Sequence, residues 1–358
     1  MSSYPNSIRV ALVGYGYAGK TFHAPLIQSV PGLDLTVVGS SRPDEVRKYL
    51  PAAQVIPNPE DAVTRNDVDL VVIASPNESH VPLATAALNA GKHVVVDKPF
   101  TNTLAEARGL AELAQAKQKL LSVFHNRRWD SDFLAVKALL AEGRLGEILH
   151  FESHFDRFRP EVRDRWRERT GPGAGLWYDL GPHLVDQALE LFGLPQKISA
   201  SLVAQRPGAQ IDDWAHVLLD YGRLQVILHG GMLVAGGVPR LTLHGTRGSW
   251  LKYGLDVQES QLVRGMHPGD PGWGEDPLPG QFYDGSGGPP QELPVPRGDQ
   301  SQYYKAIRNA LIDGAPNPVI PTQAIAVMAV VETAIQSAAI GQALPLPLTD
   351  QERTSLLP

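Results

Sequence analysis

Five short stretches of the chain carry residues whose types and spacing suit chemistry. The first is VALVGYGYAGKTFHAPL, residues 10–26, where Gly14, Gly16 and Gly19 fall at the spacing G-x-G-x-x-G. Such glycines suit a dinucleotide: the first permits a tight turn, the second lets the backbone approach a pyrophosphate, and the third lets helix and strand pack closely. Free N–H groups at the start of the following helix then face the anion. A glycine-rich turn without a ligand is the alternative. The second stretch is VVGSSRP. A site for NAD places Asp or Glu at the end of the second strand to accept from the ribose 2′-hydroxyl. Here Ser40, Ser41 and Arg42 stand there instead. Two hydroxyls and a guanidinium suit a 2′-phosphate, which argues for NADP, with NAD as a weaker ligand. An exposed arginine on a turn is the competing explanation.

The third stretch, ASPNESH, puts Ser75, Pro76 and Asn77 at a strand's carboxyl end, where doubly wound sheets bind ligands. Asn77 as a helix N-cap is the alternative. The fourth, VVVDKPF, brings Lys98 to another strand end. A partly desolvated lysine beside a cationic nicotinamide has a lowered pKa and can trade a proton with a substrate hydroxyl. A solvated surface lysine is the alternative. The fifth, DLGPHLVD, spaces Asp179 and His183 four apart, on one face if the segment is helical. Together they can polarise a hydroxyl and move its proton. Pro182 suits the first position of a helix, which would put His183 at a helix start, where the macrodipole favours neutral imidazole. A structural Asp–His hydrogen bond and a metal pair are the alternatives. No third ligand lies nearby in sequence, so no metal is expected.

The elements that must position these residues follow from periodicity. Ile8–Val13, LDLTVVGSS, VDLVVIASP, KHVVVDKP and KLLSVFHN read as strands, with helices at TFHAPLIQSV, HVPLATAALNAG and LAEARGLAELAQAKQ. This alternation predicts an α/β domain, a doubly wound parallel Rossmann sheet over residues 1–125 that holds the cofactor. Beyond it, a helix near Ser131–Glu142 precedes ILHFESHFDRF, KISASLVAQ, WAHVLLDYG, RLQVILHGGML and RLTLHGTRGSWLKY, mostly of period two. They predict an α+β domain over residues 126–358, with an open, mostly antiparallel sheet, that binds substrate and dimerises. Residues 265–298, rich in Gly and Pro, read as a long loop, and QYYKAIRNALIDG and TQAIAVMAVVETAIQSAAIG as helices.

Bulk composition narrows the function classes. With 358 residues, 43% hydrophobic and 20% charged, the chain is expected to be globular and to hold two domains. A net charge of −6 with no Lys/Arg-rich run disfavours nucleic acid and anionic membranes as partners. The absence of cysteine excludes disulfides and thiolate chemistry. The opening MSSYPNSIRVALVG lacks the pattern of a secretory signal, and no apolar run approaches the ~20 residues of a membrane span, so the expected address is cytoplasmic.

G-x-G-x-x-G, SPNESH, GKHVVVDKP and DLGPHLVD in this order resemble the Gfo/Idh/MocA oxidoreductases, which include glucose–fructose oxidoreductase and inositol dehydrogenases. The resemblance runs through nearly the whole chain. The family's Glu-Lys-Pro becomes Asp97-Lys98-Pro99 here, which keeps the lysine. The resemblance implies Lys98, Asp179 and His183 as the catalytic set. Candidate cofactor contacts add Tyr17, His80, Asp97, Asn126 and Arg127 to the residues above. VFHNRRWDSDF and SHFDRFRP resemble a branch containing NADP-dependent scyllo-inositol dehydrogenases. The implied activity is hydride transfer between NADP and a hydroxyl or carbonyl of a sugar or cyclic polyol, in either direction; a non-catalytic NADP-binding sensor or scaffold is the alternative. The implied assembly is a homodimer or higher homo-oligomer, with the open sheet face expected to be apolar enough to bury against a second copy.

Overall fold

Short runs of Val, Ile and Leu that must be covered on both faces build the first sheet. The computed structural model describes residues 7–356. Six strands, β1 (Ile8–Val13), β2 (Leu33–Gly39), β3 (Gln54–Ile56), β4 (Leu70–Ile73), β5 (His93–Val96) and β6 (Leu121–Val123), pair in the order β3-β2-β1-β4-β5-β6. Every pairing is parallel. All four residues of β4 are buried, the pattern of a sheet with helices on both faces. Chain order reverses between β1 and β4, and a sheet of this kind binds its ligand beyond the carboxyl ends of the strands at that point. The helix after the glycine loop begins as a π-turn, Gly19–His23, and continues as Ala24–Gln28. A capping box between Thr103 and Glu106 starts the helix Leu104–Ala116. The helices Pro43–Tyr49 and Pro59–Val63, with β3 between them, are short and largely exposed, and so leave no apolar periodicity to read.

The chain forms two compact units. The first comprises 1–129 together with 257–274 and 299–324; the second comprises 130–256, 275–298 and 325–358. Within the first unit, the helix Ser301–Ile312 brings Tyr303 and Tyr304 against Phe124 at the end of β6, with ring centroids 5.0 and 5.6 Å away.

The second unit holds eight strands: β7 (Ile148–Asp156), β8 (Lys197–Val203), β9 (Trp214–Asp220), β10 (Gln225–Gly231), β11 (Leu241–Gly245), β12 (Gly248–Lys252), β13 (Gly280–Tyr283) and β14 (Gln291–Leu293). Their order is β14-β13-β12-β11-β7-β10-β9-β8, antiparallel throughout except for the parallel pair β7–β10. RLTLHGTRGSWLKY is the β11–β12 hairpin. The Gly/Pro-rich segment is not a plain loop, because it contains β13 and β14; at four and three residues they are too short to show a period. The helix Leu176–Phe192 packs on this sheet, with the Phe192 ring 5.3 Å from Phe151 of β7.

Two expectations change. Along β7 the buried residues Phe151, Ser153 and Phe155 alternate with His150, Glu152, His154 and Asp156. Along β7 the opposite face therefore carries ionisable groups, and apolar residues join them there from the neighbouring strands: Leu218, Ile227 and Leu251 stand in the same row as Glu152. Among the described residues one helix, Pro321–Ile340, also reaches 20 residues and contains an 18-residue stretch of mean hydropathy 1.5, though 61% of that stretch is buried within the protein. Its Val331 carbonyl accepts from Trp177 Nε1 at 3.1 Å, as in a core helix.

Gly14 has φ +98° and lies where an added Cβ would meet the Ala74 carbonyl oxygen at 2.5 Å. Around Gly16 a Cβ meets nothing within 4 Å. Gly14→Ala is expected to destabilise the protein by more than ~2 kcal/mol in chemical denaturation, and Gly16→Ala by less than ~1 kcal/mol. Equal effects would show that the loop is not held by this contact.

Candidate active site

The glycine loop joins β1 to the π-turn, and its geometry fits a dinucleotide. Gly14 and Gly19 are required by close backbone contact: a Cβ on Gly19 would lie 2.0 Å from the Gly14 oxygen. Gly16 alone faces open space, which leaves its backbone accessible to a pyrophosphate.

Ser40, Ser41 and Arg42 follow β2 directly, as the sequence expectation required. Ser40 Oγ accepts from the Arg42 backbone N–H at 3.1 Å, and the Arg42 guanidinium donates to the Tyr15 carbonyl at 2.9 Å. The guanidinium also pairs with Glu45 at 2.9 Å, and Lys20 reaches the same carboxylate at 3.2 Å. Two cations share one carboxylate, so this corner keeps a net positive charge suited to a phosphate. Tyr17 of the glycine loop and Arg127 of the turn Asn126–Trp129 meet on one further carboxylate, Glu259, at 2.8 and 3.4 Å. Asn126 donates to Gln300 Oε1 at 2.9 Å. Glu259 and Gln300 come from stretches far along the chain, and nothing local in the sequence ties them to the loop.

Asn77 opens a 3₁₀ turn, Asn77–Ser79, whose N-cap is Pro76. Ser79 stands at the N-cap of the helix His80–Asn89, so Asn77 caps neither element. The His80 ring bridges the Ser75 and Pro99 carbonyls at 3.0 and 2.9 Å, tying this loop to the turn that carries Lys98. Burial lowers its pKa despite the nearby Asp97, and a neutral ring donates to only one of these two carbonyls.

Lys98 is the second residue after β5 and is half-buried. Its backbone N–H donates to Asp97 Oδ1 at 2.8 Å. Asp97 Oδ2 lies 3.6 Å from Nε2 of the fully buried His23. His23 Nδ1 is 2.6 Å from the Tyr304 hydroxyl. Burial raises the Tyr304 pKa well above its ordinary value, so the phenol stays protonated. Where the phenol donates to His23 Nδ1, Nε2 carries the ring proton and faces Asp97. Burial alone would push the Asp97 carboxyl up; His23 and the Lys98 charge outweigh it and hold it below the usual carboxylate value. His23 and Tyr304 went unnoticed in the sequence, although the histidine is part of the helix that the glycine loop starts.

In the second unit, Asp179 and His183 share the helix Leu176–Phe192, and their spacing places them on one face. The expected helix start at Pro182 is wrong. Pro182 lies inside the helix, which begins six residues earlier at Leu176. Asp179, not His183, is in the first turn, so the helix dipole supports the carboxylate charge and gives no account of a neutral His183. Gly175 breaks the chain before the helix with φ +98°, and a Cβ there would lie 2.1 Å from Asp212 Oδ1. Asp212 Oδ2 accepts from Trp177 N at 2.7 Å and so caps the helix from a distant loop. Asp179 and Asp212 line a shallow cleft with Arg165, Arg167 and Arg206. Arg167 Nε is 3.5 Å from Asp179 Oδ1. Lys98 belongs to the first unit and the Asp179–His183 pair to the second.

Residues 8–125 match the family model described as "Oxidoreductase family, NAD-binding Rossmann fold", and residues 137–348 match "Oxidoreductase family, C-terminal alpha/beta domain". The chain is 54% identical over 336 residues to the Escherichia coli (strain K12) oxidoreductase YdgJ, whose activity is uncharacterized, covering 93% of this chain and 97% of that one. It is 40% identical over 338 residues to the Bacillus subtilis (strain 168) scyllo-inositol 2-dehydrogenase (NADP(+)) IolW, with 93% and 94% covered. A crystal structure of an oxidoreductase from Klebsiella pneumoniae superposes with a TM-score of 0.93 at 56% identity, covering 98% of both chains.

Burial pushes the Asp212 carboxyl up to about 6, with Asp213 adding to the effect. A carboxyl raised from an unfolded value near 4 binds a proton in the folded state that the unfolded chain has lost, so its contribution to stability falls as pH rises from about 4 through 6. Asp212→Asn keeps an acceptor for Trp177 N and removes the charge. It is expected to gain about 2–3 kcal/mol relative to the parent at pH 7, with the gap closing by about pH 4. Urea midpoints across this range check it; a constant gap would rule out titration of Asp212 as its source.

Proposed function

The chain belongs to the Gfo/Idh/MocA oxidoreductase family, and from that premise we propose that it is an NADP-dependent dehydrogenase of a sugar or cyclic polyol of the inositol kind. When bound, the nicotinamide supplies the carbon that takes up or releases hydride. Gly14, Gly16 and Gly19 would hold the pyrophosphate, and Ser40, Ser41 and Arg42 the 2′-phosphate. Lys98 Nζ exchanges the proton of the reacting hydroxyl, His183 serves the same proton from the substrate side, and Asp179 accepts from a substrate hydroxyl to orient it. The likeness to the Bacillus subtilis scyllo-inositol 2-dehydrogenase supports the substrate class.

One observation carries the catalytic reading over a dinucleotide-binding sensor: the turn bearing Lys98 is braced from behind by Asp97, His23 and Tyr304. A protein that only holds a dinucleotide needs the glycine loop and the β2 end, not a lysine held by a buried polar network.

A photometric screen of NADP⁺ reduction over inositols, aldoses and sugar lactols supplies the substrate for two measurements. Arg42→Ala is expected to weaken NADP⁺ roughly ten- to a hundredfold and to leave NAD⁺ nearly unchanged, the scale of one charge-assisted phosphate contact. Parent protein that uses both cofactors equally would sink the NADP assignment. Lys98→Met is expected to lower kcat by ~10²–10⁴ while NADP⁺ still binds. Near-parent turnover by that variant would return Asp97-Lys98-Pro99 to the status of a structural turn and favour the sensor.

A further inference from the structure

The open face of the second unit's sheet holds a second group of residues with defined chemistry, separate from Asp179 and His183. On β7 the run His150, Glu152, His154, Asp156 occupies alternate positions and so faces one side. The neighbouring strand β10 places His229 directly beside His154 and Gly231 beside Asp156. The Asp156 carboxylate lies between two imidazoles: Oδ2 is 3.3 Å from His154 Nδ1, and Oδ1 is 3.5 Å from His229 Nε2. One ligand atom from each of the three residues lies within 4.8 Å of the others. We propose that His154, Asp156 and His229 bind a first-row divalent cation, with Zn²⁺ the best suited.

Three independent features favour a cation here over a chance meeting of polar groups. The first is the outer partners of the two rings. His154 turns Nε2 to Glu152 Oε2 at 2.9 Å, which fixes the proton on that nitrogen and leaves Nδ1 to act as a ligand. His229 turns Nδ1 to His216 Nδ1 at 3.4 Å, which leaves Nε2 facing Asp156. A ligand histidine that donates its far N–H to a carboxylate or another acceptor is the usual arrangement of a metal site. The second is Asp156 itself. Its side chain is 12% exposed, and its Oδ1 is buried without a hydrogen-bond partner. The third is the lack of a side chain at position 231, which is glycine: a Cβ there would lie 3.3 Å from Asp156 Oδ1 and 3.5 Å from His229 Nε2, with Val234 Cγ2 beside it at 3.2 Å.

The donor set also selects the ion. Two imidazoles and one carboxylate suit Zn²⁺ and its first-row neighbours and do not suit Ca²⁺ or Mg²⁺, which take oxygen donors. Bonds of about 2.0–2.2 Å in a tetrahedron put ligand atoms about 3.3–3.6 Å apart, so the present spacing closes with small side-chain rotations. Three protein ligands leave a fourth position open. Without an ion, a proton on His154 between Glu152 and Asp156 fills the same electrostatic role, and the cation displaces it.

The test uses the full-length chain without an affinity tag, stripped with a chelator and then titrated with Zn²⁺ by calorimetry and with Co²⁺ by visible absorption. The expected result is saturable binding of about one ion per chain, together with intense visible bands of Co²⁺ in a low-symmetry nitrogen and oxygen site. His229→Ala and Asp156→Asn should weaken binding at least about tenfold. Glu152→Gln, which changes the shared partner of His154 and His150 and no ligand atom, should weaken it by about ten- to a hundredfold. His244→Ala, on the same face but outside the ligand set, should bind as the parent does. The parent's Co²⁺ spectrum needs no variant and stands even where a substitution prevents folding. No saturable binding by the parent, an aquo-like Co²⁺ spectrum, or unchanged affinity in folded His229→Ala and Asp156→Asn would overturn the proposal.

Discussion

A carboxylate kept ionised inside the protein at the end of β5 is the constraint on which the first unit turns. A buried charge is tolerated only when paired and hydrogen-bonded. Asp97 meets that demand by accepting from the Lys98 backbone and by lying 3.6 Å from His23 Nε2. His23 Nδ1 in turn lies 2.6 Å from the Tyr304 hydroxyl. Each partner comes from a different part of the fold: His23 from the turn that the glycine loop begins, Lys98 from the strand end, Tyr304 from a helix near residue 300. The network thus links the loop suited to a pyrophosphate with the turn that presents the lysine. It also explains why a stretch from late in the chain belongs to this unit: Tyr304 completes both the polar network and the aromatic packing on Phe124.

The second unit solves a similar problem differently. Its buried charges are matched in pairs and triads, as where Arg206 meets Asp213 at 2.8 Å and Glu168 at 3.0 Å while also donating to two backbone carbonyls. Lys252 and Asp276 pair at 2.9 Å in the interior. Asp212 is the exception: it caps the helix that carries Asp179 and His183, with two backbone N–H groups from that helix on its carboxylate and carbonyl, and burial raises its pKa. The helix start therefore depends on a loop 35 residues further on, and Gly175 is glycine because the capping carboxylate occupies the space of a side chain.

The fold class was legible because the chain alternates buried β-branched runs with helical periods up to residue 125 and then changes to period two. The glycine spacing, the strand ends at Ser40, Ser75 and Lys98, and the four-residue spacing of Asp179 and His183 were legible for the same reason: each is local. What was not legible is non-local. Glu259, Gln300 and Tyr304 reach the first unit from stretches with no motif of their own. Pro182 was read as a helix start because proline favours that position, but capping by Asp212 starts the helix earlier. The open sheet face was expected to be apolar, yet the run His150, Glu152, His154, Asp156 already spells four ionisable residues at period two. The ligand set proposed there is not legible because its third member, His229, lies on another strand, and only the β7–β10 register brings it beside His154.

The central claim is that this chain moves a hydride from a polyol or sugar carbon to NADP⁺. The most direct measurement is isotope transfer. The protein is incubated with NADP⁺ and a substrate from the inositol or aldose series deuterated at the reacting carbon, and the cofactor is then examined by mass spectrometry and NMR. The account predicts one deuterium on the reduced nicotinamide and a carbonyl on the substrate. NADP⁺ that binds but stays oxidised and unlabelled with every inositol, aldose and lactol would contradict it.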